Sequence, residues 1–450
     1  MVYYSKIKDH GVHMKKYLAA ALSFIMLLGT GCDLSSLLGD SVASSIQSES
    51  VEVEEPKDGP LYQIEDVVKE DLLWDTETMF DVKVERKESD VYLGANIQAF
   101  KFKSAPYGEL DSTWVFAAMG MPTTEKPKDG YPAVVLIHGG GGTVSKEWIE
   151  YWMGKGYVAL AFDVFGHQLD KNLNKVDNPE SGPKETFVGS NLDGVENPYD
   201  AWAYHAVYNA VMCNNILRSM KTVDQDRIVV TGNSWGGYVT CLVSGVDKRF
   251  AAFAPLNGCG YVYRDTTWTK SGTFGGEDKE KWIELYDPSS YLPYATKPML
   301  FVSGLDDEYF STYNRTQSAA LVKGKVFYSQ RRNLPHANWP KAGETYEFFQ
   351  HVLYNQPTMT LVEDIVVKDG VATFQYENKT FNAVYFVYTT SKDEDSHKWE
   401  WQTVEVEAVD GVYSYKLPED VTAYVFELQA EKYLSQSTNV VIVESDLEFV

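Results

Sequence analysis

Asp226-Arg-Ile-Val-Val-Thr-Gly-Asn-Ser-Trp-Gly-Gly237 passes from a β-branched run straight into a serine flanked by glycines. Ile228-Val229-Val230 predicts a strand buried on both faces, as in parallel sheets. Gly232-Asn233-Ser234-Trp235-Gly236 follows as G-x-S-x-G, and Tyr238 to Val243 reads as the first turns of a buried helix. Strand, sharp turn and helix form the context in which a serine sits in strained backbone, its hydroxyl held out at the carboxyl edge of a sheet. Alone the motif is weak, so the reading depends on what the rest of the chain supplies to Ser234.

Upstream, Ala133-Val-Val-Leu-Ile137 predicts another buried strand, ending in His138-Gly139-Gly140-Gly141-Gly142. Four glycines after a strand let backbone N–H groups approach a ligand, which suits donation to the charge developing on an attacked carbonyl oxygen. Downstream, Pro298–Val302 reads as a strand that ends in Ser303-Gly304-Leu305-Asp306-Asp307. Lys325–Tyr328 reads as the last strand, followed by Asn333-Leu-Pro-His336. The resulting order is Ser234, Asp307, His336. A serine hydroxyl needs a neighbouring base, which imidazole can be near neutral pH, and a carboxylate would hold that imidazole in the right tautomer. Of the histidines after Ser234, His351 falls in a helical run and His397 in an acidic loop, leaving His336 as the base. The acid is Asp307, third after Gly304, with Asp306 as the alternative.

The remaining chain sets the frame. Its 450 residues are 44% hydrophobic and 14% aromatic, enough for two or three domains with a large core. The formal net charge of −24 excludes nucleic acid as a partner and any role that relies on attraction to anionic lipid. Cys213, Cys241 and Cys259 read as buried small apolar residues. No metal-ligand spacing or nucleotide fingerprint is visible, so no cofactor and no metal are expected. Met14-Lys-Lys and the apolar run to Leu28 form a signal peptide over residues 1–31, with Met14 as the true start. Cys32, after Gly29-Thr-Gly31, resembles the acylated cysteine of a bacterial lipoprotein. Residues 32–60 are then an acidic, Ser-rich tether. Membrane contact through the N-terminal lipid alone and a place in the cell envelope outside the cytoplasm follow.

Strands alternating with helices over 61–356 predict an α/β domain built on a doubly wound, mostly parallel sheet. Within it, 168–198 reads as a long loop, and Tyr199 to Met220 as a helix with Trp202 and Tyr204 in the core. Asn257 to Pro288 reads as a lid or pocket wall over the sheet edge. Residues 357–450 carry strand runs without helical period and predict an immunoglobulin- or fibronectin-like β-sandwich. Trp399 and Trp401 there are read as packing or docking residues.

With these segments in view, residues 75 to 352 resemble bacterial α/β-hydrolases of the acetyl xylan esterase and cephalosporin C deacetylase type, which grade into prolyl-oligopeptidase-like catalytic domains. The resemblance rests on Val135–Gly142, Gly156–Asp163, Thr222–Gly237, Gly304–Asp307 and Pro335-His336. It implies an oxyanion hole built from the N–H of Gly140 or Gly141 and the N–H of Trp235. It also implies a serine esterase acting through an acyl-enzyme on a small ester or acylated carbohydrate. The chain departs from many acetyl xylan esterases in having Gly140 where an aromatic follows His-Gly, and in its C-terminal extension. A serine peptidase of the prolyl-oligopeptidase type is the second reading, and a non-catalytic glycan-binding lipoprotein the third.

Overall fold

The strands that carry the core can be read from their alternation, because successive side chains in a strand point to opposite faces. In the computed structural model, which describes residues 59–184, 197–270, 279–336, 343–376, 381–430 and 434–443, that alternation sorts the apolar residues into two layers. The signal segment, Cys32 and nearly all of the tether lie outside the described residues.

Strands β1 (Arg86–Tyr92), β2 (Ile97–Ser104) and β3 (Thr113–Gly120) open the sheet. They are followed by β4 (Tyr131–Ile137), β5 (Val158–Phe162) and a small separate hairpin of β6 (His167–Leu169) and β7 (Lys175–Asp177). β8 (Val223–Asn233), β9 (Ala252–Leu256), β10 (Met299–Gly304) and β11 (Val326–Arg331) continue it. The spatial order is β1-β2-β3-β5-β4-β8-β9-β10-β11. β5 through β11 in that order are parallel, and β1 to β3 join them as an antiparallel edge. The predicted doubly wound, mostly parallel sheet is therefore present.

Ala133, Val135 and Ile137 of β4, with Ile228 and Val230 of β8, face one layer. Val134, Leu136 and Val229 face the other. Helices Trp202–Arg218 and Trp235–Val246 cover the first layer through Ala206, Ala210, Cys213, Val239 and Leu242. Helices Lys146–Gly154 and Gly343–Tyr354 cover the second through Trp148, Trp152, Phe348 and Phe349. Burial of each such aromatic stabilises by roughly 1.5–3 kcal/mol relative to exposure. The expected helix from Tyr199 begins later, at Trp202, because Pro198–Asp200 forms a 3₁₀ turn first. Trp202 and Tyr204 are buried, as expected.

The chain runs from β4 to β5 on one side and then returns to β8 on the other, so the carboxyl ends of β4 and β8 lie side by side where the winding reverses. Open parallel sheets bind ligands at such a point. Here the His138 loop and Ser234 emerge together, with Ile137 in register with Gly232.

Beyond residue 357, β12 (Val366–Lys368), β13 (Val371–Gln375), β14 (Ala383–Thr389), β15 (Gln402–Val406), β16 (Val412–Lys416), β17 (Ala423–Gln429), β18 (Ser435–Ser437) and β19 (Val441–Ile442) are antiparallel. The β12-β13-β16 sheet faces the β15-β14-β17-β18 sheet across Phe374, Phe386, Tyr415 and Phe426. The Phe386 ring is 4.3 Å from that of Tyr415 and 5.0 Å from that of Phe426. The sandwich is not joined by a linker alone. β18 pairs antiparallel with β11 at Tyr328 and Ser437, so its larger sheet extends the central one. Arg332 of the main domain also bonds Glu427 of β17 at 2.6 Å.

Candidate active site

Ser234 sits between β8 and the helix Trp235–Val246 at φ 57°, ψ −120°. A non-glycine residue held in this region stores on the order of 1–3 kcal/mol of strain. Flanking bonds maintain it: Ser234 N–H donates to Leu256 O at 2.9 Å, and Tyr238 N–H donates to Ser234 O at 3.0 Å. The tight turn needs Gly236, where a methyl group would come within 2.0 Å of Ile137 O.

Three sequence-predicted residues meet here. His336 Nε2 lies 2.8 Å from Ser234 Oγ, and its Nδ1 lies 2.8 Å from Asp307 Oδ2. The other oxygen of Asp307 accepts the N–H groups of Tyr309 and Phe310, each at 2.9 Å. Burial alone would raise the Asp307 carboxyl. The His336 hydrogen bond and charge, the Arg315 guanidinium and the Phe310 N–H outweigh it and hold the group below its usual value. Asp306 is exposed while Asp307 is buried, which separates the two alternatives.

The His138 loop passes over the nucleophile at Gly139, where a Cβ would lie 2.9 Å from both Asn233 O and Ser234 Cβ. His138 pins the loop in one tautomer: its Nε2 accepts Val164 N–H at 3.0 Å, so its Nδ1 donates to Gly139 O at 2.8 Å. Gly140 and Gly141 follow on the exposed side, Gly141 at φ 66°. Trp235 opens its helix, so its N–H has no acceptor within that helix.

Several contributors carry no motif. Asn257, in left-handed backbone at φ 46°, donates from Nδ2 to His336 O at 2.8 Å and accepts from Ser303 Oγ at 3.2 Å. Its place just after β9, followed by Gly258, is a turn signal, yet nothing in the pattern marks it as a tether for the base. Arg315 is buried and binds Gly304 O at 2.6 Å and Phe310 O at 2.5 Å, so it braces both ends of the acid loop. Aromatic rings gather on Trp235, the residue after Ser234, and on His336. Trp235 meets Trp268 at 4.6 Å, Trp202 at 5.5 Å and Phe310 at 5.8 Å, and Tyr309 lies 4.6 Å from His336. Trp268 belongs to the stretch expected to be a lid, of which 271–278 lies outside the described residues.

His351 lies away from this site, bonded to Gln356 O and Tyr62. His397, in contrast, reaches the back of the acid loop, with Nδ1 2.5 Å from Asp307 O. Trp399 is buried in one apolar cluster with Leu305, Val387 and Val425, in line with its reading as a packing or docking residue. Cys213, Cys241 and Cys259 are buried thiols. Among the described residues, Asp265, Asp395 and His397 are close enough to share a metal ion, but the Lys270 ammonium bonds both carboxylates.

In sequence, residues 69–261 match the family described as acetyl xylan esterase (AXE1), and residues 196–334 match the prolyl oligopeptidase family. No curated protein matches the chain in sequence. Among solved structures, an acetyl xylan esterase from Paenibacillus sp. R4 is 18% identical with a TM-score of 0.51, over 65% of this chain and 98% of that one. Acetyl xylan esterase 1 from Thermoanaerobacterium sp. JW/SL YS485 is 17% identical with a TM-score of 0.47, over 64% and 95%. The acylaminoacyl peptidase of Pyrococcus horikoshii is 16% identical with a TM-score of 0.44, over 58% and 43%. The first of these likenesses establishes a shared fold.

Proposed function

We propose that this chain, which shares its fold with the acetyl xylan esterase from Paenibacillus sp. R4, is a serine esterase that removes short acyl groups, acetyl foremost, from carbohydrate. The observation that carries this reading is the chain of contacts from Asp307 through His336 to Ser234 Oγ, each at 2.8 Å, on a serine at φ 57°.

In this mechanism Ser234 Oγ attacks the ester carbonyl while His336 Nε2 takes its proton. The negative charge that forms on the carbonyl oxygen is met by the Trp235 N–H and the N–H of Gly140 or Gly141. Collapse breaks the bond to the sugar oxygen, which leaves with the proton from His336, and the acyl group stays on Ser234. Water, deprotonated by the same imidazole, then releases the carboxylic acid. Asp307 remains ionised and stabilises the imidazolium. The rings of Trp202, Trp235 and Phe310, packed together on the residue after Ser234 and, through Phe310, near His336, favour an acyl group of few carbons. The match to the acetyl xylan esterase family over the elbow and the His138 loop supports the ester class.

The peptidase reading keeps one specific support, the prolyl oligopeptidase match across Ser234 and Asp307. A fluorophosphonate probe tests both, because each requires Ser234 to label. Acetylated xylo-oligosaccharides, p-nitrophenyl acetate and proline-containing peptides then separate them, and faster cleavage of the peptides would overturn the esterase assignment.

We also propose that the protein is exported and anchored by lipid on Cys32, outside the cytoplasm. Met14-Lys-Lys, the apolar run to Leu28 and the small residues before Cys32 support this. Expression in a bacterial host with labelled fatty acid is expected to mark the wild type and leave Cys32→Ala unmarked. Equal labelling of the two would refute the anchor.

A further inference from the structure

The Asp307 carboxylate is held from the front by His336, but its main chain is held from behind by the C-terminal sandwich. The contact is made by a short 3₁₀ turn, Ser396–Lys398, between β14 and β15. The His397 ring lies across two carbonyls, with Nδ1 2.5 Å from Asp307 O and Nε2 3.2 Å from Asp265 O. A carbonyl oxygen only accepts, so each contact needs hydrogen on the ring nitrogen. The neutral ring makes one of them and the imidazolium makes both.

The turn is itself fixed. Asp395 caps it by accepting His397 N–H at 3.1 Å, and Lys270 and Lys398 bind the Asp395 carboxylate. Ser396 Oγ donates to Asp265 Oδ2 at 2.6 Å. On the other side Trp399, its Nε1 donating to Asp393 O at 2.9 Å, is buried in the same apolar cluster as Leu305, two residues before the acid. One turn thus grips the acid loop at Asp307, shares an apolar cluster with Leu305, and grips Asp265, three residues ahead of Trp268.

From this we infer that His397 is a positioning residue for catalysis. The C-terminal sandwich uses it to fix the backbone of the catalytic acid, so that the Asp307 carboxylate stays in line with His336. The inference rests on the serine-hydrolase reading for its effect on rate, though not for the contact itself. It gives the sandwich a part in the reaction that its position in the chain does not suggest.

The test uses the full chain with His397→Leu, which removes both donors, and His397→Gln, which keeps an N–H within reach of Asp307 O. Misplacing a catalytic group by a fraction of an ångström costs about tenfold or more in rate. His397→Leu is therefore expected to lower kcat and the fluorophosphonate labelling rate of Ser234 together by about tenfold or more, with KM within about twofold. His397→Gln should recover most of both. A merely structural role would lower the melting temperature and the active fraction without this split or rescue. A rise in KM with kcat unchanged would overturn the inference in favour of an effect through Trp268, and kcat within about twofold of wild type would overturn it outright. Hydrogen exchange at the Tyr309 and Phe310 amides, which bond the Asp307 carboxylate, gives a readout that needs no activity. His397→Leu should speed it, and unchanged exchange counts against the inference. Faster exchange in a protein whose wild type fails to label at Ser234 would uphold the positioning contact and sink the hydrolase reading instead.

Discussion

Ser234 Oγ, His336 and Asp307 are joined in one chain of hydrogen bonds, and a residue's place in that chain sets its predicted role. On the proposed mechanism Ser234→Ala removes the oxygen that forms the acyl-enzyme, so kcat on p-nitrophenyl acetate should fall by about 10⁵- to 10⁶-fold. Asp307→Asn keeps the shape of the acid but offers His336 a different hydrogen-bonding group, and steady-state assays should show a loss of about 10⁴-fold in kcat. The neighbouring carboxylate is the matched control. Asp306 is exposed and outside this chain of contacts, so Asp306→Asn should stay within about twofold of wild type. A large loss in Asp306→Asn with little in Asp307→Asn would reverse the assignment of the acid.

The elbow and the sandwich differ in how openly they declare themselves in sequence. Gly232, Ser234 and Gly236 are legible because the tight turn excludes side chains: Gly236 sits where a Cβ would meet Ile137 O at 2.0 Å. Gly236→Ala is accordingly expected to push the helix off β4 and abolish probe labelling, even where circular dichroism shows the fold retained. Unbroken apolar runs made β4 and β8 equally legible, since both faces of these strands are buried. Asn257, Arg315 and His397 carry no such signature. Asn257 and His397 act through contacts between segments far apart in sequence, 79 residues for Asn257 and His336 and 90 for His397 and Asp307, and Arg315 acts through loop carbonyls whose direction local pattern does not encode. The pairing of β18 with β11 was hidden for the same reason. Within the sandwich, Phe386 is fully buried between the two sheets. Phe386→Ala should cost about 3–5 kcal/mol by urea unfolding. Because β18 ties this module to β11 and the Ser396–Lys398 turn ties it to the acid loop, that variant should also lose esterase activity at a urea concentration the wild type tolerates.

At the scale of the whole molecule, buried titratable groups set how stability responds to acid. His205, on the helix that covers the first core layer, is packed between the rings of Tyr107 and Tyr204. Burial pushes its imidazole down to about 4. In the unfolded chain it titrates near its ordinary value of about 6.5. Between these two values the unfolded state binds the extra proton and the folded state does not, so stability falls as pH falls. The contribution is fully present above about 6.5 and is lost progressively down to about 4, by roughly 3 kcal/mol at most. Asp287 and Glu344 act in the opposite sense. Burial raises both carboxyls above their ordinary values, so the folded state takes up protons first and gains stability on acidification. Comparing His205→Phe with wild type isolates the imidazole, because the carboxyls are common to both. Urea midpoints measured from pH 7.5 to 4.5 should shift in the variant's favour on acidification, with the variant losing less stability than wild type below about pH 6.5. Parallel pH profiles for the two proteins would show that the His205 proton is not what makes the fold sensitive to acid.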